Sequence, residues 1–287
     1  MQNLVVGELF TERLGEMDEV ESYYDEKSLM YDSVFDTAYF KIYDAITWKY
    51  LEPYVPSDHE ALVLDAGGGT GRWSIRMAAK GCRVILVDNS AGMLKLATEK
   101  VEKAGLRHRI TIEKGDLRKL RHKDGTFNMA LCEHTLFALE DPDAAIRELS
   151  RVLKKGAPLV ISAQNLYVQL LMHLPFREIP QSDKFDEVID ILSRRRHDTM
   201  AKDGKVRIYT WTPDEFRSML ERNDFEVQKI IGKGVTVPLR MAEELYMRRD
   251  CPENLLDKIL QLEFALCERP DALALAGHMQ AIARKVT

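Results

Sequence analysis

The chain has few of the features that mark secreted, membrane-spanning or metal-bound proteins. Its 4 cysteines are widely spaced in 287 residues and form no Cys-x-x-Cys pair, which predicts neither a disulfide framework nor a zinc site. No apolar run approaches the roughly 20 residues of a membrane span. The first residues hold no basic region before a short apolar stretch, so we expect no secretory signal and a cytoplasmic location.

An excess of positive charge is also missing. The net charge is -5 at pH 7, which argues against a large phosphate-binding surface and favours small molecules over nucleic acid as partners. Histidine and acidic residues show no metal-ligand spacing, so we expect no bound metal. Since no apolar run is long enough to span a membrane, we expect no membrane partner either. The length permits one large α/β domain with additions or two small domains. Monomer and homodimer both stay open.

The most informative pattern is a pair of apolar runs that each lead into an acidic residue. Residues 63–71 read VLDAGGGTG, and residues 84–88 read VILVD. This is the layout of a nucleotide site at the carboxyl ends of two adjacent parallel strands. Glycine lets the backbone turn sharply and approach a ligand closely. The second acid, Asp88, can accept hydrogen bonds from both hydroxyls of a ribose.

The spacing of the glycines separates two kinds of nucleotide site. A dinucleotide fingerprint places its third glycine at position 72, which is Arg72 in this chain, and this counts against a nicotinamide-dependent dehydrogenase. Gly67, Gly69 and Gly71, preceded by Asp65, instead resemble motif I of the class I S-adenosylmethionine-dependent methyltransferases. The likeness is to the small-molecule type of that family, with a domain of the methyltransferase 11/25 kind.

The resemblance implies a cofactor, S-adenosylmethionine, and a set of residues that bind it. In that family the first acid and the glycine backbone hold the methionine end, and the acid after the second strand holds the ribose. An Asp and a neighbouring backbone N–H bind the adenine, and the end of the fourth strand borders the sulfonium. Met93 can flank the adenine or simply face the core of its own helix. The implied core residues are Asp65, Ala66, Gly67, Gly69, Gly71, Asp88, Asn89, Met93, Asp116, Leu117 and Cys132.

An aromatic segment precedes the glycine motif. Its tyrosines, phenylalanines and tryptophan between residues 22 and 54 recur at three to four positions, as on amphipathic helices. One interpretation is a pair of helices packed across the open edge of the site. The other is a lid, because the segment resembles the amino-terminal part of many small-molecule methyltransferases, in which a tyrosine approaches the cofactor's carboxylate. Tyr23 and Tyr31 are the candidates.

Strand and helix patterns alternate from residue 61 to residue 162, which predicts a doubly wound α/β sheet with right-handed crossovers. The family resemblance implies a Rossmann-like, seven-stranded, mostly parallel sheet with an antiparallel last strand, assigned to residues 278–284. We expect four regions. They are an N-terminal helical lid (1–56), a cofactor-binding core (57–163), a helical insert that caps the acceptor (164–204), and a C-terminal part with helices that completes the sheet (205–287).

The reaction implied by the resemblance is in-line displacement at the sulfonium methyl. A general base is needed only if the acceptor keeps its proton at neutral pH. The candidates for that base are His134, Glu133 and one of the tyrosines of the amino-terminal segment. His134 and Glu133 follow the fourth strand, where ligands of open α/β sheets bind. A loop histidine bonded to backbone is the alternative for His134.

The acceptor cannot be read from the sequence, and three interpretations remain. A small metabolite comes first, given the acidic net charge, the aromatic segment and the insert. A tRNA is the second, because residues 210–220 and 225–231 resemble a branch that includes enzymes modifying the wobble uridine of tRNA. The basic residues Arg194, Arg195, Arg196, Lys202, Lys205 and Arg207 can bind phosphates or form a solvated face. A non-catalytic cofactor-binding subunit is the third.

Overall fold

The computed structural model describes residues 21–22, 24–25, 37–173, 182–201, 204–236 and 252–287. Its strands are β1 (Leu62–Ala66), β2 (Arg83–Asp88), β3 (Ile110–Lys114), β4 (Met129–Cys132), β5 (Pro158–Gln164), β6 (Arg196–Ala201), β7 (Gly204–Tyr209), β8 (Phe225–Lys233) and β9 (His278–Lys285). Its helices are α1 (Ala38–Leu51), α2 (Arg72–Ala78), α3 (Ala91–Lys103), α4 (Pro142–Val152), α5 (Leu166–His173), α6 (Ser182–Arg194), α7 (Pro213–Glu221) and α8 (Glu253–Leu266).

Seven strands form one sheet in the order β3-β2-β1-β4-β5-β9-β8. Strands β1 to β5 run parallel to one another, and β9 is antiparallel to both β5 and β8. The predicted fold class is thereby confirmed, including the antiparallel last strand at residues 278–284. Because Ala66 pairs with Val87, the carboxyl ends of β1 and β2 meet at one edge of the sheet.

Side-chain caps fix where several helices begin. Ser90 accepts a hydrogen bond from the Met93 N–H at 3.1 Å, which leaves Asp88 free of that role. Thr212 and Glu215 exchange both hydrogen bonds of a capping box at the start of α7.

The insert after β5 differs from the expected helical segment. Helices α5 and α6 are followed by β6, which pairs antiparallel with β7 over residues 196–209. The chain leaves α6 at Arg195, whose φ of +59° ends the helical path. Ile208 of β7 is buried against the main core, so the hairpin lies on the domain rather than projecting from it. The insert expected at 164–204 thus contains the helices α5 and α6 and, in addition, the strand β6.

Both faces of the sheet are covered. One face packs on α4 and α7, and the other packs on α1, α2 and α8. Helix α1 buries Ile42, Ile46 and Leu51 in the second layer and contacts α8. Within the described residues no helix is long and apolar enough to cross a membrane. In the C-terminal part expected to carry helices (205–287), the structure describes α7 and α8, and residues 237–251 lie outside the described part.

Candidate active site

The glycine turn after β1 requires glycine at its first position. Gly67 has a φ of +73°, and a Cβ there would overlap the side chain of Thr135. The Gly67 N–H donates to the Val87 carbonyl at 2.7 Å, which ties the turn to the end of β2. Gly71, with a φ of +80°, leads directly into α2. The turn therefore presents backbone rather than side chains at the sheet edge.

Asp88 lies beside this turn at the end of β2. One carboxylate oxygen accepts the Gly69 N–H at 2.9 Å, and the other accepts the Ser90 N–H at 2.9 Å. Burial raises the pKa of Asp88, although these N–H groups oppose the rise. Each oxygen keeps a further lone pair, so the carboxylate can still accept from a ribose hydroxyl.

A cleft opens between these two turns, and its empty volume of about 680 Å³ includes space that is open to solvent. Seven of the residues expected at the cofactor line this cleft, namely Gly67, Gly69, Asp88, Asn89, Met93, Asp116 and Leu117. The lining consists of Tyr24, Gly67, Gly69, Asp88, Asn89, Met93, Gly115, Asp116, Leu117, Arg118, His134, Thr135, Ala138, Leu139 and Glu140.

One end of the cleft combines apolar and acidic groups. Met93 and Leu117 are both buried in the protein and reach the cleft wall. Asp116 accepts hydrogen bonds from the Arg118 side chain at 2.9 and 3.0 Å and from its backbone N–H at 2.8 Å. Burial acts against the change, but these Arg118 contacts hold the pKa of Asp116 below its ordinary value.

Other predicted residues lie behind the lining. Asp65 is 1% exposed and accepts a hydrogen bond from the Ser74 hydroxyl at 2.6 Å. Burial raises the pKa of Asp65 to about 6. Ala66 and Cys132 are fully buried strand residues. Tyr23 and Tyr31, the tyrosines expected at the cofactor, lie outside the described residues.

The neighbour of Tyr23 lines the cleft instead. Tyr24 lies at the cleft wall, and Asp25 accepts hydrogen bonds from the Ser90 hydroxyl and, at 2.9 Å, from the Gly92 N–H. Asp25 thus fastens this segment to the start of α3. The sequence marked the tyrosine-rich stretch but could not choose among adjacent tyrosines.

His134 is the one titratable imidazole in the cleft lining that the structure describes. Its backbone has a φ of +55°, an uncommon conformation that clusters at functional sites. The backbone N–H of His134 donates to the Ser162 hydroxyl at 2.9 Å. Burial holds the pKa of His134 well below its usual range, and the positive charges of Lys233 and Arg72 add to the effect.

Glu133 lies behind His134 and is paired with a cation. Its side chain is 2% exposed and that of Lys233 is 0% exposed, and the Lys233 ammonium donates to the Glu133 carboxylate. Lys233 also donates to the Thr47 hydroxyl at 3.2 Å. The nearer Glu133 oxygen is 3.4 Å from His134 Nε2. Lys233, at the end of β8, gave no signal in the sequence because it is 100 positions from Glu133.

Residues 63–156 match the family model of the methyltransferase domain. Over 88% of its length the chain is 28% identical to tRNA 5-carboxymethoxyuridine methyltransferase of Escherichia coli (strain K12), covering 92% of that enzyme. It is 42% identical over 104 residues to demethylmenaquinone methyltransferase of Lactiplantibacillus plantarum, which covers 35% of this chain and 44% of that enzyme.

A solved structure shares the fold at low sequence identity. The S-adenosylmethionine-dependent methyltransferase of Mesorhizobium loti superposes with a TM-score of 0.53 at 21% identity, covering 83% of this chain and 97% of that one. The domain match, the sheet order and the glycine turn beside Asp88 agree with one another, and together they identify the cofactor as S-adenosylmethionine.

Proposed function

We propose that this chain, a class I S-adenosylmethionine-dependent methyltransferase, methylates a small metabolite whose nucleophilic atom carries a proton. The observation that carries the proposal is the placement of His134, a neutral imidazole in the wall of the cofactor cleft at the end of β4. A neutral imidazole can accept a proton, whereas a carboxylate or thiolate acceptor needs no such group.

In this proposal the cleft holds the cofactor in one orientation. Asp88 binds the ribose, the Gly67 and Gly69 backbone approaches the methionine part, and Asn89, Met93, Asp116 and Leu117 surround the adenine. The Cβ-free turn at Gly67 and the Asp88 carboxylate, fixed by two backbone N–H groups, suit these parts of the molecule. Tyr24 closes the cleft from the amino-terminal side.

The residues then supply position, exclusion of water and a proton acceptor. Bound S-adenosylmethionine brings both the methyl group and its leaving group. The buried side chains around His134, including Phe40, Tyr43 and Phe137, keep water from the reacting atoms. His134 receives the proton that the acceptor loses as its nucleophilic atom bonds to the methyl carbon.

The charges of the described surface favour a small acceptor over a polyanion. In the basic run, Arg194 is 2.6 Å from Asp190, and Arg195 is 2.9 Å from Glu215. Arg207 lies 3.9 Å from Glu140, which is itself part of the cleft lining. With carboxylates beside these guanidinium groups and a net charge of -5, long-range attraction of phosphates is weak.

The test follows a labelled methyl group from S-adenosylmethionine into two fractions of a cell extract, metabolites below about 1 kDa and purified total RNA. We expect label in the metabolite fraction, and we expect His134→Ala to lower its rate roughly 100-fold, the scale of general acid–base catalysis. Titration with S-adenosylhomocysteine serves as the binding control for the variant. Label found only in material that ribonuclease destroys would contradict the metabolite assignment.

A tRNA acceptor is the second candidate. The supporting observation is that the match to the tRNA enzyme extends over 88% of the chain, whereas the match to the quinone methyltransferase extends over 35% of it. This candidate predicts tRNA affinity that falls steeply with salt and is lost when Arg194, Arg195 and Arg196 are replaced by Gln. Affinity that ignores both changes would exclude it.

A further inference from the structure

We infer that Lys233 and Glu133 form a buried positioning pair that sets the tautomer of His134, with its Nε2 carrying the hydrogen. The inference rests on the proposed function, since it explains how His134 is prepared to accept a proton. Lys233 holds the Glu133 carboxylate in position, and Glu133 in turn contacts the imidazole of His134. His134 is the member of the three that lines the cleft.

The pair is deeply buried and held from more than one side. Lys233 comes from the last residue of β8, and Glu133 follows β4, so the contact joins two separate parts of the sheet. The Thr47 hydroxyl of α1 accepts a second hydrogen bond from Lys233 at 3.2 Å. The ammonium is therefore fixed in position, and it fixes the carboxylate in turn.

Fold stability does not account for such a pair. Removing two charges from water costs several kcal/mol for each ion, and well-packed apolar residues often serve as well or better. The other carboxylate oxygen, Glu133 Oε2, is buried and has no hydrogen-bond partner within the described part of the chain. A group this costly, set against a cleft residue, indicates a role in the site.

The contact with His134 is what the pair can control. Glu133 Oε1, the oxygen that accepts from Lys233, lies 3.4 Å from His134 Nε2. This is a long contact that can shorten when substrates bind. A carboxylate is acceptor-only, so it favours the tautomer with hydrogen on Nε2. Nδ1 is then the ring nitrogen that can accept a hydrogen bond or a proton. The selected acceptor class is a protic nucleophile, such as a hydroxyl, an amine or an acidic C–H.

Neighbouring aromatic side chains restrict the rotation of the His134 ring. His278 of β9 packs on it with ring centroids 4.5 Å apart, and Tyr43 and Phe137 contact it from other sides. The backbone N–H of His134, at the base of the side chain, donates to the Ser162 hydroxyl of β5. The neighbours therefore hold the ring in place, and the Glu133 contact acts on which nitrogen carries the hydrogen.

The experiment reads the tautomer directly. Two-bond nitrogen–proton correlation spectra of the ¹⁵N-labelled full chain at pH 7 distinguish the two neutral tautomers, and the His134→Asn spectrum assigns the signal. We expect the Nε2–H form to dominate in the wild type. A dominant Nδ1–H form would overturn the inference without reference to any variant or to methyl transfer.

A double variant then removes the pair without leaving one charge buried alone. In Glu133→Met with Lys233→Met we expect a mixture of tautomers at His134 with Tm largely retained. The matched control is Lys229→Met, which removes an exposed lysine of the same strand that is paired with Glu268 at 3.0 Å. Its spectrum should equal the wild type. An unchanged tautomer in the double variant would contradict the inference.

Kinetics separate this role from a structural one. Once an acceptor is found, the double variant should lower kcat by roughly tenfold or more, because part of the His134 population would carry its hydrogen on the nitrogen that must accept the proton. The KM for S-adenosylmethionine should stay unchanged. If the tautomer is as inferred but no acceptor is methylated, the proposed function fails while the positioning pair stands.

Discussion

The side chain of Thr135 occupies the space that a Cβ on residue 67 would need. Both the Thr135 hydroxyl and its methyl group would overlap that atom, and the hydroxyl donates to the Gly67 carbonyl at 3.2 Å. The loop after β4 thus packs directly on the turn after β1. The shape of the cofactor cleft depends on this contact because both residues line it.

Replacing Gly67 with Ala should therefore do more than strain the backbone. A left-handed φ at a non-glycine residue costs about 1 kcal/mol, and the overlap with Thr135 adds overpacking of about 1–3 kcal/mol. We expect a lower free energy of unfolding in urea and weakened binding of S-adenosylhomocysteine. Gly125→Ala is the control, since Gly125 also has a positive φ (+62°) but a Cβ there meets nothing within 4 Å. Equal losses in the two variants would refute the packing argument.

Asp65 should make the fold less stable as pH rises. Its pKa is raised by burial from the ordinary 3.8 to about 6, so the folded state binds the proton more tightly than the unfolded state. Stability from this group is fully present below pH 3.8 and is lost as pH rises through 6, by about 3 kcal/mol in total. Urea unfolding of the wild type and Asp65→Asn between pH 4 and pH 7.5 measures it.

The difference between the two proteins isolates Asp65 from other titrating groups. We expect the stability of Asp65→Asn relative to the wild type to increase across that pH window. A constant difference would show that the carboxyl titrates normally. Ser74→Ala, which removes the hydroxyl that donates to Asp65, should raise the pKa further and shift the window upward.

Lys233→Met should raise the pKa values of both buried histidines. Burial is the largest cause that lowers the pKa of each of these histidines. The positive charge of Lys233 lowers both pKa values further, and His134 also lowers that of His278. Burial, the largest cause of both shifts, remains in the variant, so both pKa values should stay below the ordinary value for histidine. Titration of the ring protons by NMR measures the change. Values that do not move would mean that Lys233 carries no charge in the fold.

The sequence predicted those parts of the site that depend on neighbouring residues along the chain. The glycine turn, Asp88, Asn89 and Met93 are local features, and strand alternation alone brings β1 and β2 together. The antiparallel β9 needed the family resemblance, because residues 278–284 have no distinguishing period.

Contacts between distant segments could not be predicted in the same way. Glu133 reaches Lys233 only because β4 and β8 end at the same edge, and Tyr24 was indistinguishable from its tyrosine neighbours. Strand β6 was not predicted, because a basic run after a helix gives no strand pattern. Asp116 follows β3 as expected, but its pairing with Arg118 depends on side-chain geometry.

The central claim is that the cleft beside Asp88 binds S-adenosylmethionine. Calorimetric titration of S-adenosylhomocysteine into the wild type and Asp88→Ala tests it, with Asp143→Ala as an exposed, ion-paired control on α4. We expect micromolar binding to the wild type and the control, weakened in Asp88→Ala by about 1.5–3 kcal/mol for the lost charged hydrogen bonds. Equal affinity in all three proteins, or no binding to the wild type, would contradict the account.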